Sequence, residues 1–170
     1  MYRVFLGLGS NLGDRARYLQ RALTELREIG EIGNVSPVYE TQPAGILSAN
    51  PFYNMAVELK TPFNPPRLLH AVKGIEKKLG RTPSTHMKDR EIDIDILLYE
   101  HLYYEEHELQ VPHPQLSERR FALVPLCDIA PRVTDPFTGS TMEQVLKKCS
   151  DTSTITKTTI NLQLPRIDTY

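Results

Sequence analysis

Cysteine is scarce in this chain: two residues, Cys127 and Cys149, in 170. Their separation has no metal-ligand spacing, and no secretory leader pattern precedes them, so they read as buried or indifferent thiols in a reducing cytosol. Neither sign of charge dominates. Twenty Lys and Arg balance 21 Asp and Glu, for a net charge of −1, which argues against a general nucleic-acid or membrane-binding surface. No apolar run approaches the ~20 residues of a spanning helix. What remains is ordinary for a globular protein, 40% hydrophobic and 24% charged. The length suits one domain with a real core.

Against that background one stretch stands out: Arg90-Glu91-Ile92-Asp93-Ile94-Asp95-Ile96-Leu97-Leu98-Tyr99. The β-branched run reads as a strand. A period of two sends Ile92, Ile94 and Ile96 to one face and Asp93 and Asp95 to the other. The two carboxylates then lie roughly 6–7 Å apart at ~3.3 Å per residue, and they repel unless a cation sits between them. A solvated polar face is one reading of such a pair. The aspartates here interrupt an otherwise core-grade strand, which favours a divalent-cation site.

The rest of the chain supplies a frame for that strand. Tyr2–Leu8 reads as a strand ending in Gly9-Ser10-Asn11-Leu12-Gly13-Asp14, whose glycines imply tight turning. The glycine-rich turn is neither a Walker A loop nor a dinucleotide fingerprint. Leu19, Ala22, Leu23, Leu26 and Ile29 form a helical stripe with Gly30 as its stop. Val35–Tyr39 reads as a second strand, broken by Gln42-Pro43-Ala44-Gly45, and Phe52–Lys60 as a third. Pro65-Pro66 opens a second helix with Leu68, Leu69, Val72, Ile75 and Leu79 inward and Gly80 as C-cap.

The order βαββαβ predicts an α+β, ferredoxin-like antiparallel sheet with both helices on one face, followed by C-terminal additions. Met55, Val57, Leu59 and the isoleucines then face the helices. Phe52, Asn54, Asp93 and Asp95 share the opposite face, where a ligand can lie. One catalytic unit over residues 1–150 is expected, with 151–170 as a threonine-rich tail, an appended strand or a loose end.

Mg²⁺ binds through one or two carboxylates plus substrate phosphates, and phosphate-directed donors flank the aspartates: Arg81, Lys88, Arg90, His113 and Arg119. Any one of the basic residues alone reads equally well as solvated surface, and His113, between two prolines, as a structural histidine.

Several motifs occur in order: Gly7-Leu8-Gly9-Ser10-Asn11-Leu12-Gly13, Tyr39-x-Thr41-x-Pro43-x-Gly45, Phe52-Tyr53-Asn54-x-Ala56, Ile75-Glu76 with Gly80-Arg81, Arg90-x-Ile92-Asp93-Ile94-Asp95-Ile96-Leu97, and Val111-Pro112-His113-Pro114 with Arg119-x-Phe121-x-Leu123-x-Pro125-Leu126. Together, from about Val4 to Pro131, they resemble the 6-hydroxymethyl-7,8-dihydropterin pyrophosphokinase family of folate biosynthesis. The resemblance implies transfer of pyrophosphate from ATP to the pterin hydroxymethyl group, with Asp93 and Asp95 holding two Mg²⁺ ions. It implies Asn54, Phe52, Phe121 and Asp93 on the pterin, with Thr41, Pro43 and Ala44 at its edge. It places Glu76, Arg81, Lys88, Arg90, His113 and Arg119 on the ATP side, Arg90 and Arg119 being catalytic. The partners implied are ATP and the pterin, in a cytoplasmic monomer or weak dimer. The family's usual Trp-Gly-Pro-Arg before the aspartates is Met87-Lys88-Asp89-Arg90 here, and the chain has no tryptophan at all. The non-catalytic alternative is an RNA-binding or regulatory module of the same fold, which would want aromatics and positive charge where this chain has aspartates.

Overall fold

The computed structural model describes residues 1–42, 50–81 and 89–164. Its centre is strand β1 (Tyr2–Ser10), which pairs antiparallel on one side with β4 (Phe52–Thr61) and on the other with β5 (Asp93–Tyr99). The far edge of β4 carries β2 (Glu31–Val35) and β3 (Tyr39–Thr41), and β3 in turn pairs with β8 (Ile155–Lys157). Every pairing in this sheet is antiparallel, in the order β5-β1-β4-β3-β8 with β2 on β4.

Two helices cover one face. Helix α1 (Arg15–Leu26) starts where Asp14 accepts the Arg17 N–H, and α2 (Pro65–Lys78) where Asn64 accepts the Arg67 N–H. Each cap satisfies an otherwise orphaned first-turn donor. The apolar stripes bury Leu19, Leu23 and Leu26 of α1 and Leu68, Val72 and Ile75 of α2. They meet Val4, Leu6, Leu8, Met55, Val57, Leu59, Ile92, Ile94 and Ile96 of the sheet. This is the partition that the period-two alternation predicts.

The opposite face differs from the expectation of an uncovered surface. Helix α3 (Arg120–Ile129) packs Ala122, Leu123 and Leu126 onto Phe5, Ala56, Leu97 and Leu98, with Met142 of α4 (Met142–Lys148) behind it. A register shift between Phe5 and Leu6 makes this second core possible. It turns the consecutive Leu97 and Leu98 to the same side, as a β-bulge does. Among the described residues, the end of the face near Gly9 and Asp93 is left to small, polar and aromatic side chains.

Two boundaries also differ. The predicted strand 35–39 is two strands, because Pro37 has no N–H to give the ladder. Ser36 bridges the gap: its hydroxyl accepts the Ala56 N–H at 2.8 Å and its own N–H donates to the Ala56 carbonyl at 2.9 Å. Gly30 does not end α1, which stops at Leu26. A Cβ on Gly30 would stand 2.5 Å from the Lys60 carbonyl oxygen, so this glycine permits a close crossing of β4 instead.

Beyond Ser150, the described residues 151–164 carry an appended strand. β8 closes the sheet edge, Ile160 and Leu162 pack against the helix-side core, and Gln163 exchanges two hydrogen bonds with Gln20. Hairpin β6 (Tyr104–Glu106) and β7 (Leu109–Val111) leads into the turn that carries His113. Among the described residues no helix is long and apolar enough to cross a membrane.

Candidate functional site

The site begins with two side chains that are missing. Gly9 is the register partner of both Asn54 and Asp93, and Gly7 of both Ala56 and Asp95. Directly opposed residues share a face, so the rows Asn54–Gly9–Asp93 and Ala56–Gly7–Asp95 form a shallow floor. Glycine weakens a strand interior and marks a close approach. A Cβ on Gly9 would lie 2.7 Å from Asn54 Oδ1 and 3.6 Å from Phe52 Cδ1. Asn54 is itself buried and held, its Nδ2 donating to Thr41 Oγ1 at 2.6 Å.

Asp93 is clamped by two arginines: Arg81 Nη1 donates to Oδ1 at 2.7 Å and Arg90 Nη1 to Oδ2 at 3.1 Å. Arg81 arrives there because α2 ends in a left-handed glycine. Gly80 has φ +102°, its N–H donates to the Lys77 carbonyl, and the Arg81 N–H donates to that of Glu76. This Schellman closure folds Arg81 back over Glu76, whose Oε2 lies 2.8 Å from Arg81 Nη1. Glu76 is buried, and its Oε1 accepts the Ile94 N–H at 2.8 Å, stitching α2 to β5 between the two aspartates. Burial pushes the Glu76 carboxyl up, while the Ile94 N–H and the Arg81 charge pull the other way.

Asp95 has no equivalent clamp; among the described residues it forms no salt bridge. Its carboxyl is pushed up to about 7, first by burial and then by the Asp93 charge, with Arg119 opposing. One neutralised carboxylate beside one that resists ionisation is a state that a divalent cation relieves. Among the described residues no group of three or more His, Cys, Asp or Glu gathers to hold a metal. The two carboxylates therefore fit Mg²⁺, which completes its shell with water and phosphate oxygens, and not a cation needing an all-protein cage.

His113 enters from the cis Val111–Pro112 turn, its N–H donating to the Leu97 carbonyl at 2.8 Å. Its Nδ1 accepts the Gln115 N–H, so the neutral ring carries its proton on Nε2. Burial, then the Arg119 charge, lowers its pKa to about 4. At neutral pH His113 therefore offers an N–H without a positive charge. Arg119 follows a short 3₁₀ turn (Leu116–Glu118), donates to the Gln115 side chain, and lies over the Phe121 ring with its guanidinium carbon 5.6 Å from the centroid.

Glu76, Arg81, Arg90, Asp93, Asp95, His113 and Arg119 thus share one electrostatic neighbourhood, and Thr41, Asn54, Phe52 and Gly9 form the adjoining floor. Pro43, Ala44 and Lys88, and with Lys88 most of the polar segment before the aspartates, lie outside the described residues. Sequence reasoning gave Asn11 no role of its own, naming it only within the glycine-rich turn and its motif. Its Oδ1 accepts the Arg90 N–H at 2.8 Å and its N–H donates to the Arg90 carbonyl at 3.2 Å. The missed signal was an amide side chain directly after Gly9-Ser10.

An antiparallel sheet with helices, presenting two aspartates among arginines beside an amide-and-aromatic floor, is the class of protein that the fold and site define. The comparisons narrow this class. The family model for 7,8-dihydro-6-hydroxymethylpterin-pyrophosphokinase matches residues 5–131, and the chain belongs to that family. It is 43% identical over 137 residues to the 2-amino-4-hydroxy-6-hydroxymethyldihydropteridine pyrophosphokinase of Aquifex aeolicus, covering 81% of this chain and 86% of that one. The protein of the same name from Bacillus subtilis is 41% identical over 142 residues, covering 82% and 85%. A crystal structure of Plasmodium falciparum HPPK-DHPS superimposes on 86% of this chain with a TM-score of 0.71. At 20% identity and 44% of that longer chain, this likeness speaks for the fold.

Proposed function

We propose that the protein transfers the β,γ-pyrophosphoryl group of ATP to 6-hydroxymethyl-7,8-dihydropterin, releasing AMP, in folate biosynthesis. The hydroxymethyl oxygen attacks the β-phosphorus, the bond from that phosphorus to the α,β-bridging oxygen breaks, and the hydroxyl proton is lost to solvent. The observation that carries this reading is the adjacency of the two rows, in which Gly9 joins Asn54 to Asp93 in one register. A pterin lying on Asn54 and Phe52 brings its hydroxymethyl group toward the aspartates.

Asp93 and Asp95 would hold two Mg²⁺ ions, which supply charge neutralisation on the polyphosphate and polarise the attacking hydroxyl. Catalysis of this type rests on positioning and electrostatics. Arg81, Arg90 and Arg119 supply fixed positive charge for the phosphates, the first two exchanging part of their hold on Asp93 for a phosphate oxygen. His113 donates its Nε2–H, and Lys88 adds a further charge. Glu76 acts on the nucleotide side through Arg81 and the Ile94 N–H. Asn54, held by Thr41, reads the pterin edge with Pro43 and Ala44, and Phe52 and Phe121 provide aromatic faces for its ring.

The sheet order with α1 and α2 on one face is read as ferredoxin-like, with residues 1–150 as the catalytic unit, acting in the cytoplasm as a monomer or weak dimer. The non-catalytic alternative is not favoured, because the matched family and relatives are named for the enzyme. The test is AMP release from ATP and Mg²⁺ with and without the hydroxymethyl pterin. Pterin-dependent AMP is expected, and its absence refutes the assignment. Gly9→Ala is expected to weaken pterin binding roughly 5–30-fold, since the 2.7 Å contact must displace Asn54 and a lost hydrogen bond costs about 1–2 kcal/mol. Calorimetric titration checks this, and unchanged pterin affinity would show that the floor is not the pterin's seat.

A further inference from the structure

Asp89, directly before Arg90 in the chain, is bonded to both substrate halves of the site. Its Oδ1 accepts Asn11 Nδ2 at 2.8 Å and its Oδ2 accepts Asn50 Nδ2 at 2.9 Å. Asn11 Nδ2 also reaches the Asn50 carbonyl at 3.4 Å. Asn11, only 3% exposed, holds the Arg90 backbone by both its N–H and its carbonyl. On the nucleotide side the cluster therefore positions the arginine that clamps Asp93. On the pterin side Asn50 leads through Pro51 into Phe52, and the Pro51 carbonyl is held again by Arg15 at 3.0 Å. Arg15 in turn stacks on Tyr53, its guanidinium carbon 3.6 Å from the ring centroid.

The need for a carboxylate here follows from the donors. Asn11 spends its oxygen on the Arg90 N–H, so its NH₂ requires an acceptor, and the Asn50 NH₂ requires another. Asp89 gives one oxygen to each, and the ionised form makes both bonds stronger. A neutral amide in this place would offer a single acceptor oxygen and no charge.

We propose that Asp89 is a positioning residue that couples the nucleotide and pterin half-sites through Asn11 and Asn50. The proposal rests on the pyrophosphoryl-transfer reading above. A nucleotide that draws the Arg90 guanidinium shifts the backbone at Asp89, and the pair of hydrogen bonds passes that shift to Asn50 and the strand end bearing Phe52. The coupling is reciprocal, so the pterin tightens nucleotide binding by the same factor.

The experiment measures the Kd of hydroxymethyl pterin by titration calorimetry, with and without Mg²⁺ and α,β-methylene-ATP, whose blocked bond prevents turnover. In the wild type the nucleotide is expected to tighten pterin binding at least ~5-fold, the lower end of ordinary coupling. Asp89→Ala and Asn50→Ala are each expected to cut that ratio at least ~3-fold, and the double variant to cut it no further than either single change. Asn50→Ala alters an exposed side chain and serves if Asp89→Ala fails to fold. A ratio near one in the wild type, or an unchanged ratio in the variants, overturns the proposal, even where their Tm falls. Wild-type AMP release with an unchanged ratio overturns the coupling alone, whereas no AMP release overturns the reading beneath it.

Discussion

Asp95→Ala, and separately Asp93→Ala, should lower pterin-dependent AMP formation by at least ~10³-fold, because losing a metal carboxylate removes several kcal/mol of charge stabilisation at ~1.4 kcal/mol per decade. Steady-state AMP release at saturating Mg²⁺ is the measurement, and turnover within tenfold of wild type in either variant would refute the metal assignment. Asp95→Asn should share the loss of activity and yet make the metal-free fold more stable at pH 8. The reason is the raised carboxyl, about 7 in the folded chain against ~3.9 in an unfolded one. Between those values the folded protein keeps a proton that the unfolded chain has lost, so folding stability falls as pH rises through the window. Stability is greatest below it and lowest above pH 7. Full conversion of the shift gives about 4 kcal/mol at ~1.4 per unit. Asp95 as a residue is half-buried, so solvent screening takes part of this and a gain of about 1–2 kcal/mol is expected for Asp95→Asn, or roughly 2–8 °C in Tm for a chain of this length. Thermal melts in chelator at pH 5 and pH 8 decide it. A variant advantage that does not grow with pH would show that Asp95 is not the strained group.

Glu76→Ala should be the most destabilising change at the site, by about 3–5 kcal/mol, because it breaks a buried ion pair from one side. The lost carboxylate leaves the Ile94 N–H without its acceptor and, among the described residues, leaves Arg81 paired with Asp93 alone. Tm is expected to fall by roughly 6–20 °C. Glu76→Gln should recover a large part of the loss, since an amide oxygen still accepts from Ile94. Its activity should stay depressed, because the Arg81 pair is gone. Equal melting temperatures for Glu76→Ala and wild type would show that the Glu76 bridge between α2 and β5 contributes nothing.

The contrast between these two acids shows how far the residues alone could be read. Asp93 and Asp95 are legible because alternation is local: a strand's period assigns faces whatever lies around it. The same rule placed Asn54 and Phe52 on that face and the isoleucines on the other. Glu76 entered only through a motif, because its work depends on a Schellman turn and a strand three-dimensionally adjacent but 18 residues away in sequence. Asn11 and Asp89 stood in quoted stretches without a role, since their 78-residue separation is bridged only when β1 and β5 pair.

By itself, then, the sequence determined the alternating faces, the helical stripes, the acidic pair and, through ordered motifs, the family. Each is a pattern written in neighbouring residues. Tertiary structure alone decided that α3 would cover part of the second face and that Asp93 would be clamped while Asp95 was not. Those outcomes depend on which distant groups share a low-dielectric space, where burial and a neighbour's charge set the energy and chain order says nothing.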